Sequence, residues 1–416
     1  MLKKLTQQFP SLNRTVWILA FGRLLSEIGT GFVLFYASIF FVNQVGLSAT
    51  LVGVALGSGQ VAGVLGRFLG GVFTDSKSWG RRRTLLLSAA VSVLADVVLG
   101  LTYNFPTLLL GNLVLGLGVG LYWPATEAVI ADITAPDERN EAFAITRVAD
   151  SLGLGIGVVL GGLIISTAGN YRLLFAADGV SFLVFFAVIY FAVEESYQFF
   201  EEGESSQRNP FQGWGIALRD RAFVTFLSIN ILFTTYISQI QSTLPLYFRN
   251  YVHTGGEELG FSPQVISALF TWHITFAAIM QLPMARFLNR FRRAQALTFS
   301  FSLWLVGFVL IWVTGITQNA PLLIAVVALG ILSLGLNSYT PSASSLVADI
   351  APASLRGVYL SLNSQCWAVG FFIGPPVGGW ALDQARVITD QFWLVVAATT
   401  LIGMIVLRSL NKLLKS

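Results

Sequence analysis

The stretch GVGLYWPATEAVIADITAPDERNEAFAITRVADSLGLGIGVVLGG, residues 118–162, has a diverged copy later in the same chain. That copy is GLNSYTPSASSLVADIAPASLRGVYLSLNSQCWAVGFFIGPPVGG, residues 335–379. A shift of 217 positions places Gly118 on Gly335, Tyr122 on Tyr339, Pro124 on Pro341, Asp132 on Asp349 and Arg139 on Arg356. It also carries Gly153, Gly157, Gly161 and Gly162 onto Gly370, Gly374, Gly378 and Gly379. In each copy an apolar run ends in a short polar hairpin, ADITAPDER (131–139) or ADIAPASLR (348–356), and a second glycine-rich apolar run follows. Self-similarity of this length implies two similar halves.

Composition says where those halves reside. With 55% hydrophobic and 11% charged residues, against a usual charged share of roughly 25%, the chain cannot cover a water-facing surface. It belongs in a bilayer. An apolar run of ~20 residues crosses ~30 Å of hydrocarbon as a helix. Twelve such runs are centred near residues 30, 61, 93, 119, 154, 183, 235, 274, 305, 333, 369 and 401. Six lie on either side of a polar stretch at 194–220, which predicts bundles at 1–193 and 221–416 joined by that linker. A β-barrel also satisfies every backbone group in lipid, but these runs do not alternate and far exceed ~10 residues. The expected fold is an all-α integral membrane protein of twelve transmembrane helices in two pseudo-symmetric six-helix bundles.

Basic residues in short loops stay on the cytoplasmic side. With the N terminus inside, 19 of the 25 Lys and Arg fall there, and only Arg172, Arg249 and Arg386 fall outside. The reading is a plasma (inner) membrane protein with both termini cytoplasmic. The formal charge of +4 is then topological and implies no nucleic-acid partner. Residues 1–15, with Lys3 and Lys4 before Phe9 and Pro10, read as a basic amphipathic lead-in on the membrane surface. The first apolar run carries Arg23 and Glu27 and has no small-residue cleavage site, so it reads as a retained helix and not a signal peptide. Cys366 stands alone, which excludes an internal disulfide. No His or Cys cluster suggests a metal, and no cofactor motif is present. The expected state is a monomer.

Charges inside the spans are the first functional candidates. Arg23 and Glu27 are four apart on one helical face, and Glu27 lies close to the midplane. A carboxylate there costs ~3 kcal/mol on insertion scales unless it meets a partner or water. It is read either as an ion pair with Arg23 or as a group that binds protons or substrate. Glu127, Arg147 and Asp150 stand at similar depth in spans 4 and 5, and as buried charges they need one another. Asp96 and Asp178 receive no assigned role.

The second span ends in GVFTDSKSWGRRR (71–83). This resembles the loop signature GxxxD[RK]xGR[RK] of the major facilitator superfamily of transporters, with two extra residues between Asp75 and Gly80. The resemblance covers nearly the whole chain and implies that fold, with substrate held near the midplane between the bundles and exposed alternately. It further implies that Gly71, Asp75, Gly80, Arg81 and Arg82 form an inner gate, with Asp75 against the inner start of span 11. The loop MARFLNRFRR (284–293) reads as a degenerate second copy with Asn289 at the aspartate position. Asp132, Arg139, Asp349 and Arg356 occupy the paired inner hairpins. GLGIGVVLGG (153–162) is similar to the antiporter signature GxxxGPxxGG with Val158 for proline, whereas GFFIGPPVGG (370–379) keeps Pro375. Many proton-coupled members carry an arginine where this chain has Asn112.

The second half holds few charges within its spans. Candidate cavity groups are Tyr36, Tyr122 and Trp123 in the first half, and Tyr236, Gln239, Trp272, Asn337, Tyr339, Asn363 and Trp367 in the second. These aromatic and amide groups suit a large, partly apolar small-molecule substrate. His273 titrates near neutral pH and is a second candidate proton carrier after Glu27, with Arg23 beside them. The leading expectation is proton-coupled efflux of an amphipathic compound by alternating access. The rivals are uptake or facilitated transport of a sugar or organic acid, and lipid flipping. No nucleophile and base sit together in a loop, which argues against an enzyme.

Overall fold

A computed structural model of the chain describes residues 13–135, 138–196, 210–253, 259–288, 290–291, 293–352 and 355–413. Its long helices are α1 (Arg14–Leu34), α2 (Ala49–Thr74), α3 (Gly80–Gly100), α4 (Phe105–Ile133), α5 (Arg139–Ala168) and α6 (Arg172–Ala192). The second set is α7 (Arg221–Ser238), α8 (Pro263–Leu288), α9 (Arg293–Ile316), α10 (Pro321–Ile350), α11 (Arg356–Leu382) and α12 (Arg386–Leu413). The span of α1 breaks at Phe35 and Tyr36 and resumes as Ala37–Asn43. That of α7 widens at Gln239–Thr243 before Leu244–Asn250, because Pro245 has no N–H to give to the preceding turn.

Local chemistry sets the helix ends. Asn104 accepts from the Thr107 N–H at 3.0 Å ahead of Pro106, and so starts α4. Asp220 accepts from the Ala222 and Phe223 N–H groups at 2.9 and 3.2 Å and starts α7. Gly169 closes α5 at φ 65°, a left-handed conformation that glycine adopts without strain.

Eleven spans among the described residues are long and apolar enough to cross a bilayer. Helix α11 is long enough at 27 residues, but Asn363, Gln365, Pro375 and Pro376 lower its mean hydropathy. Large apolar side chains face outward, among them Phe191 at 84% exposure and Phe68 at 70%. Such a surface is tolerable only against lipid.

By internal packing the chain forms two compact units. One is Met1–Leu34 with Ser58–Glu201, and the other is Phe35–Gly57 with Glu202–Ser416. In the first, α1 packs on α5 and α6, and α3 packs on α4 and α6. In the second, α7 packs on α11 and α12, and α9 packs on α10 and α12. Each pairing recurs six helices later, as the sequence duplication requires. The core of the first unit gathers Val16, Leu19, Leu85, Val129, Phe185 and Ile189. That of the second is aromatic, with Tyr236 and Phe308 packed around Trp304 and Phe233 against Tyr339.

The α1–α5 crossing is a close one. A Cβ on Gly157 would lie 2.1 Å from the Ile28 carbonyl and 2.8 Å from Gly31 Cα. Only glycine permits that approach, and it sets which side chains meet one turn away. In the stretch expected to link the bundles, a short helix, Pro210–Ala217, packs on α11.

Candidate functional site

The α1–α5 crossing brings Arg23 to Asp150. The guanidinium grips the carboxylate at two points: Nε donates to Oδ1 at 2.8 Å, and Nη2 donates to Oδ2. Arg23 is 2% exposed, so its charge would be costly without this counter-ion. Its guanidinium also lies 5.6 Å from the Tyr122 ring centre and 5.2 Å from that of Trp123. Arg147 approaches the same Trp123 ring at 5.0 Å. Trp123 thus stands close to two cations, within the range of cation–π attraction.

The three charges expected as one cluster fall into two groups. Asp150 is taken by Arg23, while Arg147 faces Glu127 at 3.9 Å with both side chains more than half exposed. The reason is the crossing itself: the glycines pull α1 onto α5 where Arg23 and Asp150 stand at one level. Glu27 is left over. It is half-buried, its Cβ rests on Gly153, and among the described residues it has neither hydrogen bond nor ion pair. The four-residue spacing to Arg23 therefore does not produce a pair.

Asp96 in α3 and Asp178 in α6 are both 3% exposed. Asp96 lies against Gly179, and its two carboxyl oxygens have no partner. Asp178 has Ser181 at 3.3 Å. Sequence reading noted both acids without seeing that the fold brings them together.

At the loop between α2 and α3, Arg81 bonds the Asp132 carboxylate at 3.0 Å and the Thr74 carbonyl at 2.7 Å, and lies 3.6 Å from Asp75. Asp75 is 75% exposed. Gly80 makes the turn at φ 79°, whereas Gly71 has open space beside it. Arg82 donates to the Tyr190 carbonyl at 2.5 Å. Glu195, from the stretch expected as linker, accepts the Arg81 and Arg82 N–H groups at 2.9 and 3.1 Å and caps α3. In the second unit Arg293 faces Asp349 at 3.9 Å, a looser counterpart of Arg81 and Asp132. Asn289 and the side chains of Arg139 and Arg356 lie outside the described residues, as do Lys3 and Lys4.

The polar groups expected around a cavity in the second half bind helices to each other. Gln239 donates to the Gly374 carbonyl at 2.8 Å, and Asn337 donates to the Ala277 carbonyl at 2.7 Å. Asn230 bridges α11 and α10: it donates to Asn363 Oδ1 at 2.6 Å and accepts from the Tyr339 hydroxyl at 3.0 Å. Tyr236 is buried, with its hydroxyl 2.8 Å from Thr399. His273 is buried too, its Nδ1 3.1 Å from the Leu329 carbonyl and 2.7 Å from the Ser333 hydroxyl. These contacts tie α8 to α10. Tyr36 is buried at the break in the first span. Only Trp272 and Trp367 keep over a third of their surface exposed, and Trp272 donates to the Val326 carbonyl at 3.0 Å. In α11 the signature glycines Gly370, Gly374 and Gly378 pack on Thr234, Ser238 and Thr243 of the α7 span, beside Pro375. Their counterparts Gly153 and Gly157 pack on α1, and Gly161 follows one turn on.

Sequence reading also missed Asp383 and Asp390. Asp390 accepts from Arg386 at 2.8 Å and from the Tyr247 hydroxyl at 2.9 Å. The four-residue spacing to Arg386 was a usable signal for Asp390. Asp383 had none, since its partners lie more than 300 residues earlier.

The profile of the Major Facilitator Superfamily matches residues 19–256 and 251–413. The chain is 24% identical over 406 residues to YttB, an uncharacterised transporter of this type from Bacillus subtilis (strain 168), covering 94% of this chain and 95% of that protein. It is 24% identical over 396 residues to the multidrug resistance protein MdtH of Klebsiella pneumoniae, covering 94% and 92%. A crystal structure of a mutant nucleoside transporter NupG superposes with a TM-score of 0.80 at 12% identity, covering 95% of this chain and 100% of that one. At that identity the likeness concerns fold alone.

Proposed function

The chain belongs to the major facilitator superfamily, and from that membership in a family of membrane transporters we propose that it is a proton-coupled exporter of amphipathic compounds. The observation that carries this reading is Glu27. It is the acid at the α1–α5 crossing that has no bonded partner among the described residues, because Arg23 is neutralised by Asp150. A half-buried carboxylate of this kind can be neutralised by a proton or by a cationic substrate, but not by both at once. That mutual exclusion is what exchange requires. Protons falling through ~100 mV supply ~2.3 kcal/mol each, and one pH unit adds ~1.4 kcal/mol.

Trp123 and Tyr122 of α4, both beside Arg23, offer aromatic faces for an apolar substrate body. The name of the relative MdtH, a multidrug resistance protein, fits this substrate class. The rival reading, transport of a sugar or organic acid, needs free amides to bind hydroxyl or carboxylate groups. Gln239, Asn337 and Asn230 instead donate to groups on neighbouring helices, which favours export. The protein is read as an inner-membrane protein with both termini cytoplasmic, on the distribution of its basic residues.

Cells expressing the protein should accumulate less of a fluorescent lipophilic cation than control cells, and Glu27→Gln should abolish the difference. Equal accumulation in control and expressing cells, across a panel of such cations, would remove the export reading.

A further inference from the structure

Two acids of the first unit meet away from the α1–α5 crossing. Asp96 stands four residues before the end of α3, and Asp178 six residues after the start of α6. Those two ends adjoin, since Arg172 at the start of α6 donates to the Gly100 carbonyl at the end of α3. Both acids are 3% exposed. Glycines clear the places they occupy. A Cβ on Gly179 of α6 would lie 3.4 Å from Asp96 Cβ, and one on Gly29 of α1 would collide with Asp178 Oδ1 and the Ser181 hydroxyl.

No base neutralises either acid. Among the described residues neither forms an ion pair, and both carboxyl oxygens of Asp96 lack a hydrogen-bond partner. The Ser181 hydroxyl donates to the Asp178 backbone carbonyl at 2.7 Å and stands 3.3 Å from Oδ1. Arg172 is engaged by the Gly100 and Thr102 carbonyls and the Tyr103 ring. Within α4 and α5, Tyr122, Glu127, Arg147 and Asp150 gather around Arg23 and Trp123. The charges that reach the two acids are that of Asp178 on Asp96 and, from α1, that of Glu27 on Asp178. All of these groups are acids. Two adjacent buried carboxyl groups cannot both ionise without a large cost. A proton between them removes one charge and gives the orphaned oxygens a charge-assisted O–H···O bond.

We propose that Asp96 and Asp178 form a second proton-binding site, which holds one proton between the two carboxyl groups and so joins α3 to α6. The site is distinct from Glu27. On α1 the Glu27 Cβ rests on Gly153 of α5, whereas Gly29, ~200° further round the helix, faces Asp178. Loss of the proton leaves two like charges in a dry contact, which pushes α3 and α6 apart. The site is independent of the transported compound and of the direction of transport.

The test reads the proton itself and needs no substrate. Infrared spectra of the purified Glu27→Gln protein in lipid, taken at neutral pH where an isolated aspartate of pKa ~3.9 is ionised, should show the carbonyl stretch of one protonated carboxyl group. The band should shift with isotope-labelled aspartate and vanish in Glu27→Gln/Asp96→Asn/Asp178→Asn. The isotope shift suffices should that last variant fail to fold. Thermal unfolding gives a second readout. A proton bound by the folded chain and not by the unfolded one makes stability fall as pH rises. The melting temperature should therefore drop from neutral to alkaline pH more steeply in Glu27→Gln than in Glu27→Gln/Asp96→Asn, where an amide faces the one remaining acid. Absence of a protonated aspartate band at neutral pH, or equal alkaline slopes in the two proteins, would overturn the proposal. So would a band removed by sodium or potassium salt at constant pH, which would mark a metal-cation site instead.

Discussion

Arg23 in α1 and Asp150 in α5, 127 residues apart, form a two-point ion pair at the glycine-lined crossing of their helices. Because this pair closes on itself, the carboxylate of Glu27 one turn further along α1 is left available.

Breaking the pair from one side should be severe. Arg23→Leu or Asp150→Leu alone strands a buried charge and should destabilise the protein by roughly 3–5 kcal/mol. The double variant Arg23→Leu/Asp150→Leu should recover most of that loss. Thermal unfolding of the purified protein in detergent reads both effects. Additive losses in the double variant would mean that the two residues are not each other's principal partner.

The two inner hairpins should respond unequally. Arg81 is 12% exposed and holds Asp132 and the end of α2, whereas Arg293 is 46% exposed and meets Asp349 at 3.9 Å. An exposed pair of that length contributes ~0–1 kcal/mol. Arg293→Ala should leave the melting temperature nearly unchanged, and Arg81→Ala should lower it clearly.

Replacing His273 should alter stability and leave the pH dependence of transport alone. With Nδ1 engaged by Leu329 and Ser333, His273→Ala leaves buried polar groups unsatisfied, at about 1–3 kcal/mol. The pH profile of flux should keep its midpoint. A shifted midpoint in this variant would identify His273 as a proton carrier.

Much of the fold was legible because duplication and apolar length are one-dimensional signals. The shift carrying Gly118 to Gly335 implies two halves, and the helix pairings of the two units repeat accordingly. Glu27 drew notice for a similar reason, since a charge in an apolar run stands out. Its neighbours were not. Arg23 and Glu27 share a helical face, yet the partner of Arg23 is chosen by a crossing that Gly31 and Gly157 set on two different helices. Gln239, Asn337 and Tyr339 read as cavity groups because polarity within a span looks the same whether it faces a ligand or a neighbouring backbone. Asp383 carried no signal in the sequence, since nothing local relates it to Ala49.

The most direct test of the central claim is substrate-triggered proton movement in liposomes holding the purified protein, across lipophilic cations, sugars and organic acids, with wild type beside Glu27→Gln. The account predicts proton flux driven by the lipophilic cations and lost in the variant, which should also bind them more weakly. A compound that crosses at equal rates in both proteins and moves no protons would contradict it.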